Sequence, residues 1–432
     1  MKKSSQNKWV VLLVFAIGLS VTTLGRAGET DNSKDLQKQL VQSNNEFAIK
    51  LYAKMAKTQV PKDSDQTARP SFCYSPYSIA ALSQIVKVGT GGETEKQLQK
   101  ALCLTLSGSK LNKAYLTLMK SLMAPPVNKR DTPYELAIAN RLWLQKEERS
   151  AVLPAFKQTL KMFYLSGIKE IDFSDNQASV KEINDWVSEK TKQHIKEILS
   201  LGDITPLTRF VALNAVYFQG TWRETFNKKT TTEKPFYASD GKTQLGTVPT
   251  MRKTDHGSRL GEVDGVSILS KPYRGGASMV VVLPPEGDKE LDKLEASLST
   301  ETLEKWLASV RRSPSLRIEL PKFELENKFP LIGVMKQLGV TDLFTTDADF
   351  SRMVQPGAWK TLHVAVMRHK ATIQVDEEGT IATGATVAVG TLKAMPRKPQ
   401  SFIANRPFLF LIVDDRTAGI LFLGRYTGPE KK

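Results

Sequence analysis

The order of hydrophobic patterns along this chain predicts an α+β fold with large antiparallel or mixed sheets. Three observations carry that expectation: helix-type periodicity dominates the first half, strand-type runs dominate the second, and no regular strand–helix alternation joins them. No Gly/Ser or Pro linker divides the 432 residues, so one large domain is expected. A hydrophobic content of 41% suffices for a packed core and excludes a mostly disordered chain.

Taken in order, Lys2, Lys3 and Lys8 precede an apolar run from Trp9 to about Leu19, then Gly25 and Ala27 at cleavage-site spacing. Residues 1–27 therefore read as a signal peptide, and residues 28–432 as a secreted, soluble domain. A membrane anchor is the weaker reading, because Gly18, Ser20 and two threonines interrupt a short run, and no later segment reaches spanning length. From Leu36 to Lys57 apolar residues fall at helical spacing. "SPYSIAALSQIVKV" opens a helix with Ser75 as cap and Pro76 in the first turn, and "GGETEKQLQKAL" forms the next. "ELAIANRLWLQ" reads as a strand, and "SVKEINDWVSEKTKQHIKEIL" as one amphipathic helix with Ile183, Trp186, Val187, Ile195 and Ile198 on one side. Strands follow at "RFVALNAVYF", "ASMVVVLPP", "SLRIELPKFELE", "LHVAVMRHKATIQVDEE", "PFLFLIVDD" and "GILFLGRY", the last two forming a hairpin.

Two cysteines, Cys73 and Cys103, exclude a disulfide framework and leave a single bridge open. There is no Asn-x-Ser/Thr sequon. The net charge is +16, and residues 1–27 hold four basic residues and no acid, which leaves +12 beyond them. Lys110, Lys113, Lys120, Lys129 and Arg130, or Arg311 and Arg312, are candidates for contact with a glycosaminoglycan or other polyanion; a solvated basic surface is the simpler reading. No run interleaves aromatics for base stacking, so no specific nucleic-acid partner is expected.

Catalytic apparatus is not visible. His194, His256, His363 and His369 show no His-Glu-x-x-His spacing, and no Gly-x-Ser-x-Gly elbow is present. "GTGGET" lacks the Lys-Ser/Thr of a phosphate loop and reads as a turn between helices. The pairs Asp376/Glu377 and Asp414/Asp415 are neighbours on apparent strands, where side chains diverge. Neither an enzyme nor a cofactor or metal site is expected.

One stretch asks for another explanation. Between Glu378 and Lys393 lie fourteen residues with no charge and no aromatic, rich in Thr, Ala and Val with three glycines, in a chain that is one-quarter charged. It suits an extended conformation without committing to a buried strand.

That stretch and its surroundings resemble a serpin over essentially the whole chain beyond residue 27. The resemblance rests on "FCYSPYSIAALSQIVKVGTGGETEKQL", "INDWVSEKT", "LNAVYFQGTW", "LPKFELE" and "FIANRPFLFLIVDDRTAGILFLGRYTGP". It implies three β-sheets, eight or nine helices, and an exposed reactive-centre loop over about 377–400. A protease cuts the loop, which then enters the central sheet as a new strand, a form of strand addition that releases stored strain. The resemblance further implies a hinge of Glu377, Glu378, Gly379, Thr380, Ile381, Ala382, Thr383, Gly384 and Ala385, of the small, uncharged inhibitory type except that Ile381 replaces a common acidic residue. The family's spacing from Glu377 and a count back from Asn405–Phe408 in an antithrombin-like register both place the reactive bond at Lys393–Ala394. Arg397 and Lys398 are alternative cut sites. A lysine there implies a trypsin-like serine protease as covalent partner. Ser75, Ser78, Asn214 and His369 match the family's sheet-opening cluster, and Trp222, Lys322 and Glu377 the top of the sheet, with a Glu377–Lys322 ion pair. The expected molecule is a monomeric protease inhibitor; a non-inhibitory carrier or chaperone, or a polyanion-binding regulator, is the alternative.

Overall fold

A computed structural model describes residues 26–58, 69–124, 134–146, 152–357, 362–379 and 400–429. Among them are nine α-helices and three β-sheets. The five-stranded sheet runs in the order Phe323–Pro330, Val366–Val375, Phe210–Gln219, Glu135–Gln145, Gly167–Ile171. Its two innermost neighbours, Val366–Val375 and Phe210–Gln219, are parallel, and each is antiparallel to its outer partner. Seven antiparallel strands form a second sheet, from Phe72–Tyr74 through the hairpin Phe408–Asp414/Ile420–Tyr426 to Ala277–Leu283, Val266–Pro272, Arg259–Val263 and Arg311–Arg312. The third contains Gln400–Ile403, Leu316–Pro321, Gln244–Asp255 and Thr232–Tyr237.

The strand Phe210–Gln219 is buried on both faces, as its nearly unbroken apolar run requires. Val211, Leu213 and Ala215 face a core shared with Trp143, Ile183, Val187, Ile195 and Ile198. Phe210, Ala212, Val216 and Phe218 face the larger core. The helix Pro76–Val88 packs on that second side, buried at every residue but the last. It is mainly apolar, as an enclosed helix requires, with Ser78, Ser83, Gln84 and Lys87 buried among its apolar residues. Ser75 caps it by accepting from the Ser78 amide, and proline occupies the first turn.

Four expectations need correction. The helix expected over Ser179–Leu199 spans Asn176–Lys190, starting from the Asp175 cap. Lys192 and Gln193 take left-handed backbone (φ +50° and +69°), which ends the helix, and Ile195 and Ile198 enter the core from irregular chain. The run "SLRIELPKFELE" is two strands in different sheets, Leu316–Pro321 and Phe323–Pro330, with Lys322 at the joint. Asp376 and Glu377 lie in a turn past the end of Val366–Val375 and not within a strand. The first helix, Arg26–Thr58, is longer than expected. Cys73 and Cys103 are free thiols, so the bridge left open by sequence is not formed.

Candidate functional site

The line between the two parallel strands is closed by a polar cluster inside an apolar core. His369 and Asn214 stand opposite each other in register. The Ser75 amide donates to His369 Nε2 at 3.0 Å, which makes that nitrogen the lone-pair site and leaves the proton on Nδ1, facing Asn214 Oδ1. Asn214 Nδ2 in turn donates to Ser78 Oγ and Asn140 Oδ1. Burial lowers the His369 pKa to about 3, so the imidazole is neutral. The four residues expected to cluster are thus brought together around the start of helix Pro76–Val88. Asn140 was missed; its signal was a polar residue directly opposite Asn214 in the run "ELAIANRLWLQ".

At the top of the same line, two strand extensions meet. Phe210–Gln219 continues into Gly220–Phe226, and Val366–Val375 into Asp376–Gly379. The Trp222 amide donates to the Glu378 carbonyl at 2.9 Å, the Phe226 amide to the Glu377 carbonyl at 2.7 Å, and the Trp222 indole to the Asp376 carbonyl at 2.8 Å. Trp222 is fully buried and stacks on Tyr273 at 4.1 Å between ring centroids. Asp376 closes the turn, accepting at Oδ1 from the amides of Glu378 (2.9 Å) and Gly379 (3.1 Å). Gly379 is required there: its φ is +114°, and a Cβ would lie 2.2 Å from the Gly220 carbonyl oxygen and 2.6 Å from the Trp222 nitrogen.

Glu377 points inward and is 4% exposed. Thr231 Oγ1 donates to it at 2.8 Å and Lys322 Nζ at 3.1 Å, the ion pair the resemblance implied. Burial pushes its carboxyl up, but the Thr231 hydroxyl and the Lys322 ammonium outweigh that and hold it below the usual range. Lys322 reaches the carboxylate because it sits where the chain leaves one sheet for another. Burial raises the Asp376 pKa. Its carboxylate and that of Glu377 have separate partners and do not converge.

Thr380, Ile381, Ala382, Thr383, Gly384, Ala385, Lys393, Ala394, Arg397 and Lys398 lie outside the described residues, as do Lys129, Arg130 and nearly all of the expected signal peptide. Lys110, Lys113 and Lys120 are exposed on helix Gly108–Met123, and Arg311 and Arg312 on a sheet edge. Asp414 accepts from Tyr134, Arg416 and Thr417, which makes it a structural carboxylate. Among the described residues no cluster of His, Cys, Asp or Glu is placed to hold a metal, and no helix is long and apolar enough to cross a membrane.

Comparison with known proteins agrees with this architecture. The family model for "Serpin (serine protease inhibitor)" matches residues 42–429. Serpin B8 of Bos taurus is 34% identical over 395 residues, covering 90% of this chain and 99% of its own. The leukocyte elastase inhibitor of Bos taurus is 32% identical, covering 90% and 100%. Among solved structures, native protease nexin-1 with heparin superposes with a TM-score of 0.76 at 27% identity, over 91% of this chain and 100% of that one. Serpin48, a highly specific serpin of the insect Tenebrio molitor, gives 0.75 at 26% identity, over 91% and 98%.

Proposed function

This chain belongs to the serpin family, and we propose that it is a suicide-substrate inhibitor of trypsin-like serine proteases. The observation that carries the reading is the closed parallel pair, Val366–Val375 beside Phe210–Gln219, with an uncharged, small-residue segment following it in the sequence after Gly379. Parallel pairing is the less stable kind per residue, and a strand entering antiparallel to both neighbours exchanges one parallel ladder for two antiparallel ones.

In the proposed reaction the protease serine Oγ attacks the Lys393 carbonyl, the bond to Ala394 breaks, and Ala394 leaves as a free amine while Lys393 stays esterified to the enzyme. The segment from Thr380 onward then enters the sheet and carries the acyl-enzyme with it, before water can hydrolyse the ester. Once in a strand, Thr380, Ala382, Gly384, Thr386, Ala388 and Gly390 would share one face, and all are small, which would let them pass into a packed interior. About a dozen inserted residues form up to about twenty backbone hydrogen bonds, a drive on the order of 10–30 kcal/mol before entropy at roughly 0.5–1.5 kcal/mol each. The uninserted form is then a kinetic trap.

Three further parts of the reading have their own support. Secretion rests on the apolar run after Lys8. The antithrombin-like loop length rests on two residue counts that meet at Lys393. Polyanion contact rests on the exposed Lys110, Lys113 and Lys120, together with a structural relative solved with heparin.

The deciding experiment mixes the protein with trypsin and resolves the products by denaturing electrophoresis and mass spectrometry. A covalent complex, with release of a C-terminal peptide beginning at Ala394, supports the proposal. Cleavage without a complex would sink it in favour of a carrier or chaperone, and a peptide beginning at Lys398 or Pro399 would move the reactive bond.

A further inference from the structure

Directly beneath the segment that receives the loop base lies an ion pair sealed from solvent. Lys271 and Asp255 are each 1% exposed, with Nζ and Oδ2 2.5 Å apart. Lys271 belongs to the strand Val266–Pro272 of the seven-stranded sheet, and Asp255 ends the strand Gln244–Asp255 of the four-stranded one. Asp255 is further fixed by accepting at Oδ1 from the amides of Gly257 (2.8 Å) and Ser258 (2.7 Å).

The ammonium of Lys271 also donates to the Glu224 carbonyl at 2.9 Å and lies 4.7 Å from the ring centre of Phe226 and 5.3 Å from that of Trp222. Beside it, Lys253 donates to the Thr225 carbonyl at 3.0 Å and pairs with the Glu224 carboxylate at 3.3 Å. Two lysines therefore hold the carbonyls of the segment Trp222–Phe226 from one side. On the other side that segment donates the three hydrogen bonds that grip Asp376, Glu377 and Glu378. Those bonds cross the line where the parallel strands must part, so no strand can enter until they break.

A buried ion pair is a weak source of net stability, because the desolvation of both charges offsets most of their attraction. What this one supplies is position. Removing the lysine leaves Glu224 without a donor on its carbonyl, frees two aromatic rings from the cation, and strands the Asp255 charge.

We propose that the Lys271–Asp255 pair is a positioning device for inhibition: it fixes Trp222–Phe226 so that the grip on Asp376–Glu378 holds until the loop is cut. The pair thereby sets the barrier to premature insertion. This rests on the inhibitory reading above.

The test compares opening of the sheet with the general stability of the fold. Intact wild type, Lys271→Met and the double variant Lys271→Met/Asp255→Asn are incubated below their melting temperatures with a synthetic peptide copying residues 380–392, and annealing is followed by native electrophoresis. The loop-nicked forms of the same proteins are melted in parallel. Both variants are expected to anneal peptide about tenfold faster than wild type, as loss of one charge-assisted hydrogen bond from the closed state implies. The nicked double variant, with the grip already open and no charge stranded, should melt close to nicked wild type. If Lys271→Met does not fold, Asp255→Asn keeps the acceptor for Gly257 and Ser258, weakens the hold on Lys271, and should shift annealing the same way. Unchanged annealing, or an equal loss of stability in intact and nicked double variants, would overturn the proposal and leave the pair a plain structural contact. Wild type that neither anneals peptide nor traps trypsin would instead overturn the inhibitory reading on which it rests.

Discussion

His369 is neutral because it is enclosed, and that has a consequence in acid. Its pKa in the fold is about 3 against an ordinary 6.5, so between these values the unfolded or opened state binds the extra proton. Stability of the closed sheet from this group is complete above pH 6.5 and is lost progressively as the pH falls toward 3. The full effect is on the order of 5 kcal/mol, since each unit is worth about 1.4 kcal/mol. Melting of intact protein between pH 7.5 and 4.5 should therefore fall more steeply for wild type than for His369→Gln, which keeps a donor and an acceptor but cannot titrate; parallel curves would remove the argument. Gly379 gives a second prediction at this scale. Gly379→Ala should destabilise the intact form by roughly 1–3 kcal/mol, because its φ of +114° and three backbone contacts under 3 Å leave a Cβ no room. The nicked form, where an extended alanine is unstrained, should melt as wild type does. Both residues were legible in the sequence only through family resemblance: a lone histidine in an apolar strand or a glycine after two glutamates signals nothing by local pattern.

Elements were legible where local chemistry decides them. Ser75 and Pro76 announce the buried helix, and the short, nearly continuous apolar runs of "RFVALNAVYF" and "GILFLGRY" announce strands that the fold contains. The failures share a cause. The helix from Asn176 stops at Lys190 although its apolar spacing continues, because Ile195 and Ile198 reach the same core from irregular chain and the pattern records burial, not conformation. "LPKFELE" reads as one strand because nothing local marks a change of sheet at Lys322; the pairing of Leu316–Pro321 and Phe323–Pro330 with different partners does. The loop is the element on which the proposed reaction turns. In that proposed reaction Thr380 is the first residue of the inserting face, and Thr380→Arg would carry a charge into the sheet interior at a cost of several kcal/mol. Insertion then loses the race with deacylation. The variant should fold normally and be cut by trypsin at the wild-type rate, yet yield cleaved inhibitor in place of covalent complex; undiminished complex would show that the hinge face is not buried during the reaction.

At the scale of the whole molecule, the sheet topology was closed to sequence reading, because strands as distant as Phe210–Gln219 and Val366–Val375 become neighbours through non-local pairing that no window of residues encodes. That pairing is where the stored energy of the proposed mechanism resides. The five-stranded sheet is shut at its middle by His369, Asn214, Ser75 and Ser78, and at its top by Trp222 and Phe226 holding Asp376–Glu378. A sheet closed by side-chain contacts across a parallel ladder has a lower state available if an antiparallel strand can reach it, and in the proposed mechanism cutting the loop supplies that strand. An ordinary protein is no more stable after a nick than before it. Under the proposed mechanism the nicked chain should be the more stable, because insertion would add backbone hydrogen bonds inside the sheet, at about 0.5–1.5 kcal/mol each. Intact protein and protein nicked near Lys393, heated side by side, provide the measurement. A rise of tens of degrees in the melting transition of the nicked form is expected for an inserting inhibitor. An unchanged transition would mean that the loop never enters the sheet, and the carrier or chaperone reading would then stand in its place.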